Sequence, residues 1–129
     1  MPATVYALLV GIDAYHSPVP ALHGCKNDIQ VIHAYLQERE KNTAAFNLKA
    51  LLLEDANATR EAVIAGFQTH LTQAQKDDVV LFYYSGHGSQ ELAPKEFWAL
   101  EPDHLDETLV LVDSRDPGKY DLRTRNWQR

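Results

Sequence analysis

Val79-Val80-Leu81-Phe82-Tyr83-Tyr84-Ser85-Gly86-His87-Gly88-Ser89-Gln90 is an apolar run that stops abruptly in a small, polar turn holding one histidine. Its β-branched and aromatic residues follow Asp77 and Asp78, and they have the length and composition of a strand buried on both faces, as in a parallel sheet. Any chemistry belongs where that strand ends. Glycines on both sides of His87 remove Cβ atoms where the backbone turns sharply and where a substrate carbonyl can approach the Gly88 N–H. Histidine also exchanges protons near neutrality. The turn therefore suits acyl transfer, and it equally suits a tight turn whose histidine only bonds a neighbour.

Upstream, Thr4 to Ile12 is nearly all apolar and ends at Asp13, which reads as a first central strand. It lacks a basic leader and is too short for a signal segment or a membrane span. Pro18, Pro20 and Gly24 make the next stretch a loop. Cys25, Ile29, Ile32 and Leu36 then recur at helical spacing, with Asn27 and Gln30 as a capping pair and Asp28 in the first turn. Leu48 to Leu53 reads as a second strand. Thr59 is placed as the N-cap of a second helix whose apolar face is Val63, Ile64, Phe67, Leu71 and Ala74.

Downstream, Glu91 to Asp106 reads as an irregular loop anchored by Phe97 and Trp98. Thr108 to Val112 is a fourth apolar run ending at Asp113, and the tail from Ser114 shows no period. The alternation of strands and helices implies right-handed crossovers and a parallel sheet covered on both faces. In such sheets the binding crevice lies beyond the carboxyl ends of the strands, so Asp13, Asp28, Cys25 and His87 are expected near one another.

The 129 residues amount to one domain, and 45% hydrophobic residues are enough for a core. A net charge of -6 argues against nucleic acid or an anionic membrane as partner and favours basic ones. A single cysteine forms no internal disulfide, and the six histidines match no zinc spacing, which points to a cytoplasmic chain without a transition metal. No G-x-S-x-G elbow, Walker or G-x-G-x-x-G pattern is present, so a serine hydrolase or phosphate-cradling reading fails. A thiol enzyme remains.

Four segments in order carry a resemblance: Tyr6-Ala-Leu-Leu-Val-Gly-Ile-Asp13, Leu22-His-Gly-Cys-Lys-Asn-Asp28, Tyr83-Tyr84-Ser85-Gly86-His87-Gly88-Ser89-Gln90 and Asp106-Glu-Thr-Leu-Val-Leu-Val-Asp113. Together they resemble the caspase-like cysteine peptidases, in the metacaspase branch, from about Val5 to Asp113. The resemblance implies an α/β fold, a three-layer α-β-α sandwich with a mostly parallel sheet, of which residues 1–129 are the N-terminal portion, truncated on the C-terminal side. It implies that His87 is the catalytic histidine and Gly88 N–H an oxyanion donor. Asp28 would belong to a pocket for Arg or Lys before the cleaved bond, lined by Ser85 and flanked by Cys25. Asp106, and more loosely Asp121, would be calcium ligands; no cofactor is required, with calcium as an activator of many members. The implied partners are protein or peptide substrates with basic residues, and the rest of the catalytic domain.

One departure is serious. The family's nucleophilic cysteine follows the histidine, at a caspase-type spacing of about 50 residues, and no residue after His87 is a cysteine. The favoured expectation is the histidine-bearing piece of a longer endopeptidase, inactive alone. A non-catalytic scaffold with the caspase fold is the second. Cys25 acting as nucleophile is the third, although its place in the helix's apolar stripe favours a buried structural thiol.

Overall fold

The computed structural model describes residues 2–92 and 105–123, without the side chains of residues 91, 92, 105 and 106. Strand β1 (Ala3–Gly11) leads through a loop to helix α1 (Cys25–Thr43), then to β2 (Phe46–Glu54), helix α2 (Arg60–Ala65) and β3 (Val79–Ser85). A π turn (Gly66–His70) and a 3-10 turn (Leu71–Gln73) extend α2. The first sheet has the order β2-β1-β3 and is parallel throughout. Gly11 stands level with Glu54 on one side and Ser85 on the other, so the three carboxyl ends finish in one row.

Side-chain alternation along β1 explains why it is apolar at every position. Tyr6, Leu8, Val10 and Ile12 enter the core beneath α2 with Val63 and Leu71, while Ala7 and Leu9 enter the one beneath α1 with Ile29. Leu8 and Leu9 are both fully buried, on opposite faces. The apolar stripes expected on both helices are the packed ones: Ile32 and Leu36 join the α1 side, and Ile64, Phe67 and Ala74 join the α2 side. The result is the α-β-α sandwich.

Three local expectations are corrected. Helix α1 is not capped by Asn27; Gly24 is its N-cap and makes no side-chain bond, because the capping oxygens come from Asp13 across the loop. Thr59 does cap α2, accepting from the Ala62 N–H at 3.1 Å. The run expected as a fourth strand from Thr108 to Val112 instead pairs over β5 (Leu105–Leu109), antiparallel between β4 (Gly88–Leu92) and β6 (Leu122–Arg123) in a second sheet. Thus the chain re-enters a strand directly after His87, and the histidine turn is shorter than the polar composition of residues 85–90 suggests. Val110, Leu111 and Val112 are buried without belonging to a strand, with Leu111 and Val112 in the core that holds Leu122. The expectations for Phe97 and Trp98 fall outside the described residues.

The expectation that β3 is buried on both faces is also corrected: it is an outer strand of its sheet, none of its residues is fully buried, and Val79 and Val80 are half exposed. Apolar residues at the start of an outer strand are unusual company for water. Among the described residues no helix is long and apolar enough to cross a membrane.

Two backbone positions give direct tests. A Cβ on Gly11 would stand 2.7 Å from the Cys25 carbonyl oxygen, so the close approach of α1 to the end of β1 requires glycine there. Gly11→Ala is expected to cost about 1–3 kcal/mol in urea unfolding, the usual range for forced overpacking. Ala44 ends α1 in the left-handed region at φ 52°, where an L side chain is strained. Ala44→Gly is expected to stabilise by several tenths to about 1 kcal/mol, measured in the same way.

Candidate functional site

The site forms at the carboxyl ends of β1 and β3, next to the strand where the chain order reverses. It starts from Asp13. Its carboxylate accepts the backbone N–H groups of Cys25 (2.8 Å) and Lys26 (3.2 Å), two of the free donors of α1. Asp55, turned back by a positive φ of 46°, accepts the N–H groups of Asp13 and Ala14 and pairs with Lys26 Nζ at 3.0 Å. Burial opposes the charge on both aspartates, yet the backbone N–H bonds prevail and hold both pKa values below the ordinary carboxylate value. The first turn of α1 is thereby fixed against the sheet.

That anchoring places Asp28. Strand alternation puts Ser85 on the same face as Leu81 and Tyr83, the one α1 covers. There the Ser85 hydroxyl donates to Asp28 Oδ2 at 2.8 Å. Asp28 is exposed, so its carboxylate remains available to a cation from solution. Cys25 lies behind it, 8% exposed. Burial pushes its thiol up; hydrogen bonding with Ser85 works the other way, and the charges of Asp13 and Asp28 add to the rise. A nucleophilic thiol needs the opposite environment.

His87 occupies the turn between β3 and β4, half-buried. Its Nε2 is 2.9 Å from the Pro20 carbonyl oxygen. A carbonyl only accepts, so Nε2 carries the proton and the neutral ring leaves Nδ1 as its basic atom. The Tyr15 ring packs against the imidazole, with centroids 4.9 Å apart. The glycines beside His87 act differently from the expected sharp turn, since neither has a positive φ. A Cβ on Gly86 would meet the Tyr15 and Tyr84 hydroxyls at 2.5 and 2.6 Å, whereas one on Gly88 would meet only the Thr108 carbonyl at 3.6 Å. His87 and Gly88 open onto a cavity of about 290 Å³ walled by Pro18, Val19 and Arg115.

Asp121 is buried and fully engaged. Thr108 Oγ1 donates to its Oδ2 at 2.9 Å, and the Arg115 guanidinium pairs with its Oδ1. A hard cation would need six or more free oxygens. Among the described residues no group of three His, Cys, Asp or Glu side chains is placed to hold a metal, and the Asp106 side chain lies outside the description. The residues present thus do not fit calcium at Asp121.

Six contributors were not singled out from the sequence: Tyr15, Pro20, Tyr84 and Arg115 around His87, and Lys26 and Asp55 at the start of α1. The readable signal was Tyr84, because a tyrosine in an apolar strand needs a partner for its hydroxyl where the ring is covered. A backbone carbonyl such as that of Pro20 has no sequence signature.

Two measurements check this description. Asp13 and Asp55 have depressed folded-state pKa values, so the unfolded chain binds more protons as pH falls from the ordinary carboxylate value of 3.8 towards the folded values. Their stabilisation is complete above that value and is lost as pH falls through the folded pKa values. Asp13→Asn should therefore flatten the acid limb of stability against pH, measured by urea unfolding between pH 2 and 6. Cys25 in the folded chain should react with iodoacetamide at neutral pH at least about tenfold more slowly than in urea, as burial of an unactivated thiol requires.

Comparison with known proteins identifies the family. Residues 6–121 match the model of the metacaspase, peptidase C14 domain. Metacaspase-1A of Neurospora crassa is 32% identical over 121 residues, covering 87% of this chain and 24% of that protein. Metacaspase-1 of Mycosarcoma maydis is 30% identical over 117 residues, covering 89% of this chain and 28% of the relative. The crystal structure of protein GSU0716 from Geobacter sulfurreducens superposes with a TM-score of 0.65 at 27% identity, covering 95% of this chain and 42% of that one. The chain spans about a quarter of the length of these curated relatives. With the sandwich, the ordered motifs and the match over most of its length in agreement, the chain belongs to the metacaspase family of cysteine peptidases.

Proposed function

We propose that this chain is the histidine-bearing part of a metacaspase-type cysteine endopeptidase that cleaves after Arg or Lys, and that it does not turn over alone. The observation that carries this reading is the pairing of two unlike groups at one strand end. His87 is held through Nε2, with no hydrogen-bond partner on Nδ1 among the described residues, and two residues upstream Ser85 holds an exposed carboxylate, Asp28. A basic side chain bound at Asp28 would make a charge-assisted contact that suits the fork of Arg better than the point charge of Lys.

In this reading the nucleophile comes from outside this sequence; that Cys25 is its only cysteine, with a buried thiol pushed up by burial, supports it. In the proposed reaction, His87 Nδ1 takes the thiol proton as sulfur bonds to the peptide carbonyl carbon. It returns that proton to the departing amine as the C–N bond breaks, and water then hydrolyses the thioester. Gly88, at the start of β4 beside the same cavity, is the proposed oxyanion donor. Calcium has no step here. A cytoplasmic setting accords with the single thiol and the absence of a disulfide.

Two experiments test the reading. Joining residues 1–123 to the cysteine-bearing segment of a metacaspase relative should restore cleavage of Arg- and Lys-peptides, lowered about 10²- to 10⁴-fold by His87→Ala; a folded but inert chimera would favour the scaffold. In the chain as it stands, N-acetyl-arginine amide should shift the NMR signals of Asp28 and Ser85, with affinity about tenfold weaker in Asp28→Asn. Equal binding of the glutamate analogue would remove Asp28 from the pocket.

A further inference from the structure

A closed circuit of hydrogen bonds lies under the histidine turn. The His87 backbone N–H donates to the Tyr15 hydroxyl at 2.8 Å, the Tyr15 and Tyr84 hydroxyls are 3.1 Å apart, and the Tyr84 hydroxyl is 2.7 Å from the His87 carbonyl oxygen. Counting protons sets its direction. Carbonyl oxygens only accept, so the Tyr84 proton goes to His87 or to the Val110 carbonyl, which is also at 2.7 Å. Tyr15 then supplies the proton shared between the two hydroxyls. The circuit runs from the His87 N–H through Tyr15 to Tyr84, whose one proton is shared between the carbonyls of His87 and Val110.

We infer that Tyr15 and Tyr84 are positioning residues for His87: their hydroxyls engage its backbone N–H and C=O, in the two peptide groups that flank its Cα, and so keep the imidazole on the Pro20 carbonyl through Nε2. Three independent features agree. Gly86 is the residue whose Cβ would displace both hydroxyls, so the first glycine of the turn makes room for the circuit. Tyr15 also contacts the imidazole face, joining restraint of the peptide to restraint of the ring. The Val110 N–H donates to the His87 carbonyl at 3.0 Å, which ties the end of β5 into the same peptide. Burial raises both phenols above their ordinary value, so both keep their protons throughout the neutral range.

Neither tyrosine lines the cavity onto which His87 and Gly88 open, and each would be an ordinary half-buried aromatic if only its ring mattered. Phenylalanine would then serve as well. The hydroxyls are what the inference requires. It rests on His87 being the base, but its test needs no turnover: an inert chimera would sink the peptidase reading and leave the circuit standing.

The test is imidazole ¹⁵N and ¹³C NMR of this chain, assigning the tautomer of neutral His87, with hydrogen exchange of the His87 amide. The wild type should show mainly the Nε2–H form and a protected amide. In Tyr15→Phe and Tyr84→Phe the ratio of Nε2–H to Nδ1–H should fall about fivefold, the equivalent of one hydrogen bond of about 1 kcal/mol, and amide protection should drop. Val63→Ala, a core truncation of the same cluster that leaves both hydroxyls in place, should lower stability and leave the tautomer ratio unchanged. Wild-type ratios in the phenylalanine variants, an equal change in Val63→Ala, or a wild-type His87 that is mainly Nδ1–H or freely exchanging would each overturn the inference. Should Tyr84→Phe fail to fold, Tyr15→Phe and the wild-type signals decide.

Discussion

The carboxylate of Asp13 is the constraint on which the site depends. Beyond the last residue of the central strand, one side chain reaches across twelve residues of chain to take the first N–H groups of α1. Asp55 holds the backbone of Asp13 in turn, and Lys26 closes the group by pairing with Asp55. A helix start carries a concentration of unpaired donors, so a fixed anion there sets where the helix begins as well as stabilising it. Once Cys25 and Lys26 are fixed, Asp28 has one place to stand, over the Ser85 end of β3. The contact between the proposed specificity acid and the strand of the proposed base is therefore a consequence of an interaction that involves neither.

Which parts of this were legible follows from the range of the forces. The sheet and both helices are written in hydrophobic period: β1 is apolar at every position because Leu8 and Leu9 serve different cores, and the α2 face from Val63 to Ala74 repeats at helical spacing. The placement of Asp28 and Ser85 near His87 followed from the rule that parallel strands present their carboxyl ends together. The residues from Thr108 to Val112 were misread because an apolar run shows burial without showing direction. Of that run only Thr108 and Leu109 pair, with Ser89 and Gly88, a long-range matter invisible to local pattern. Asn27 was preferred as cap for the same reason: a local candidate was readable, and the distant Asp13 that displaced it was not.

The circuit beneath His87 shows a further limit of sequence reading. Tyr83 and Tyr84 are adjacent and identical in type, yet alternation sends one to the α1 side and the other under the turn. Only the second meets a carbonyl and another hydroxyl. The meaning of the neighbouring glycine changes with it: Gly86 is small because two phenol oxygens occupy the space of its missing Cβ, and not because the backbone enters the left-handed region. A motif of small residues around a histidine thus combines two requirements, room below for restraint at Gly86 and an open face above at Gly88.

The aspartates around the site differ in what remains of each after folding, and this decides which of them can meet a ligand. Asp13 and Asp55 are taken by backbone N–H groups, Asp113 accepts the Arg60 N–H at 3.1 Å, and Asp121 is buried against Thr108 and Arg115. Each of these charges is already answered within the chain. Asp28 has a hydroxyl donor, exposure to solvent and no cationic side chain paired with it among the described contacts. A carboxylate left in that condition gains most from a cation brought from outside, because the hydrogen bond from Ser85 orients it without neutralising it. Arg115 is the converse case: its charge faces the cavity beside His87 but is answered by Asp121. Of these aspartates Asp28, on the α1 side of the turn, is therefore the one whose charge no backbone N–H or cationic side chain of the described residues answers. The opposite wall is shaped chiefly by proline and valine, so it acts on a substrate through form more than through charge.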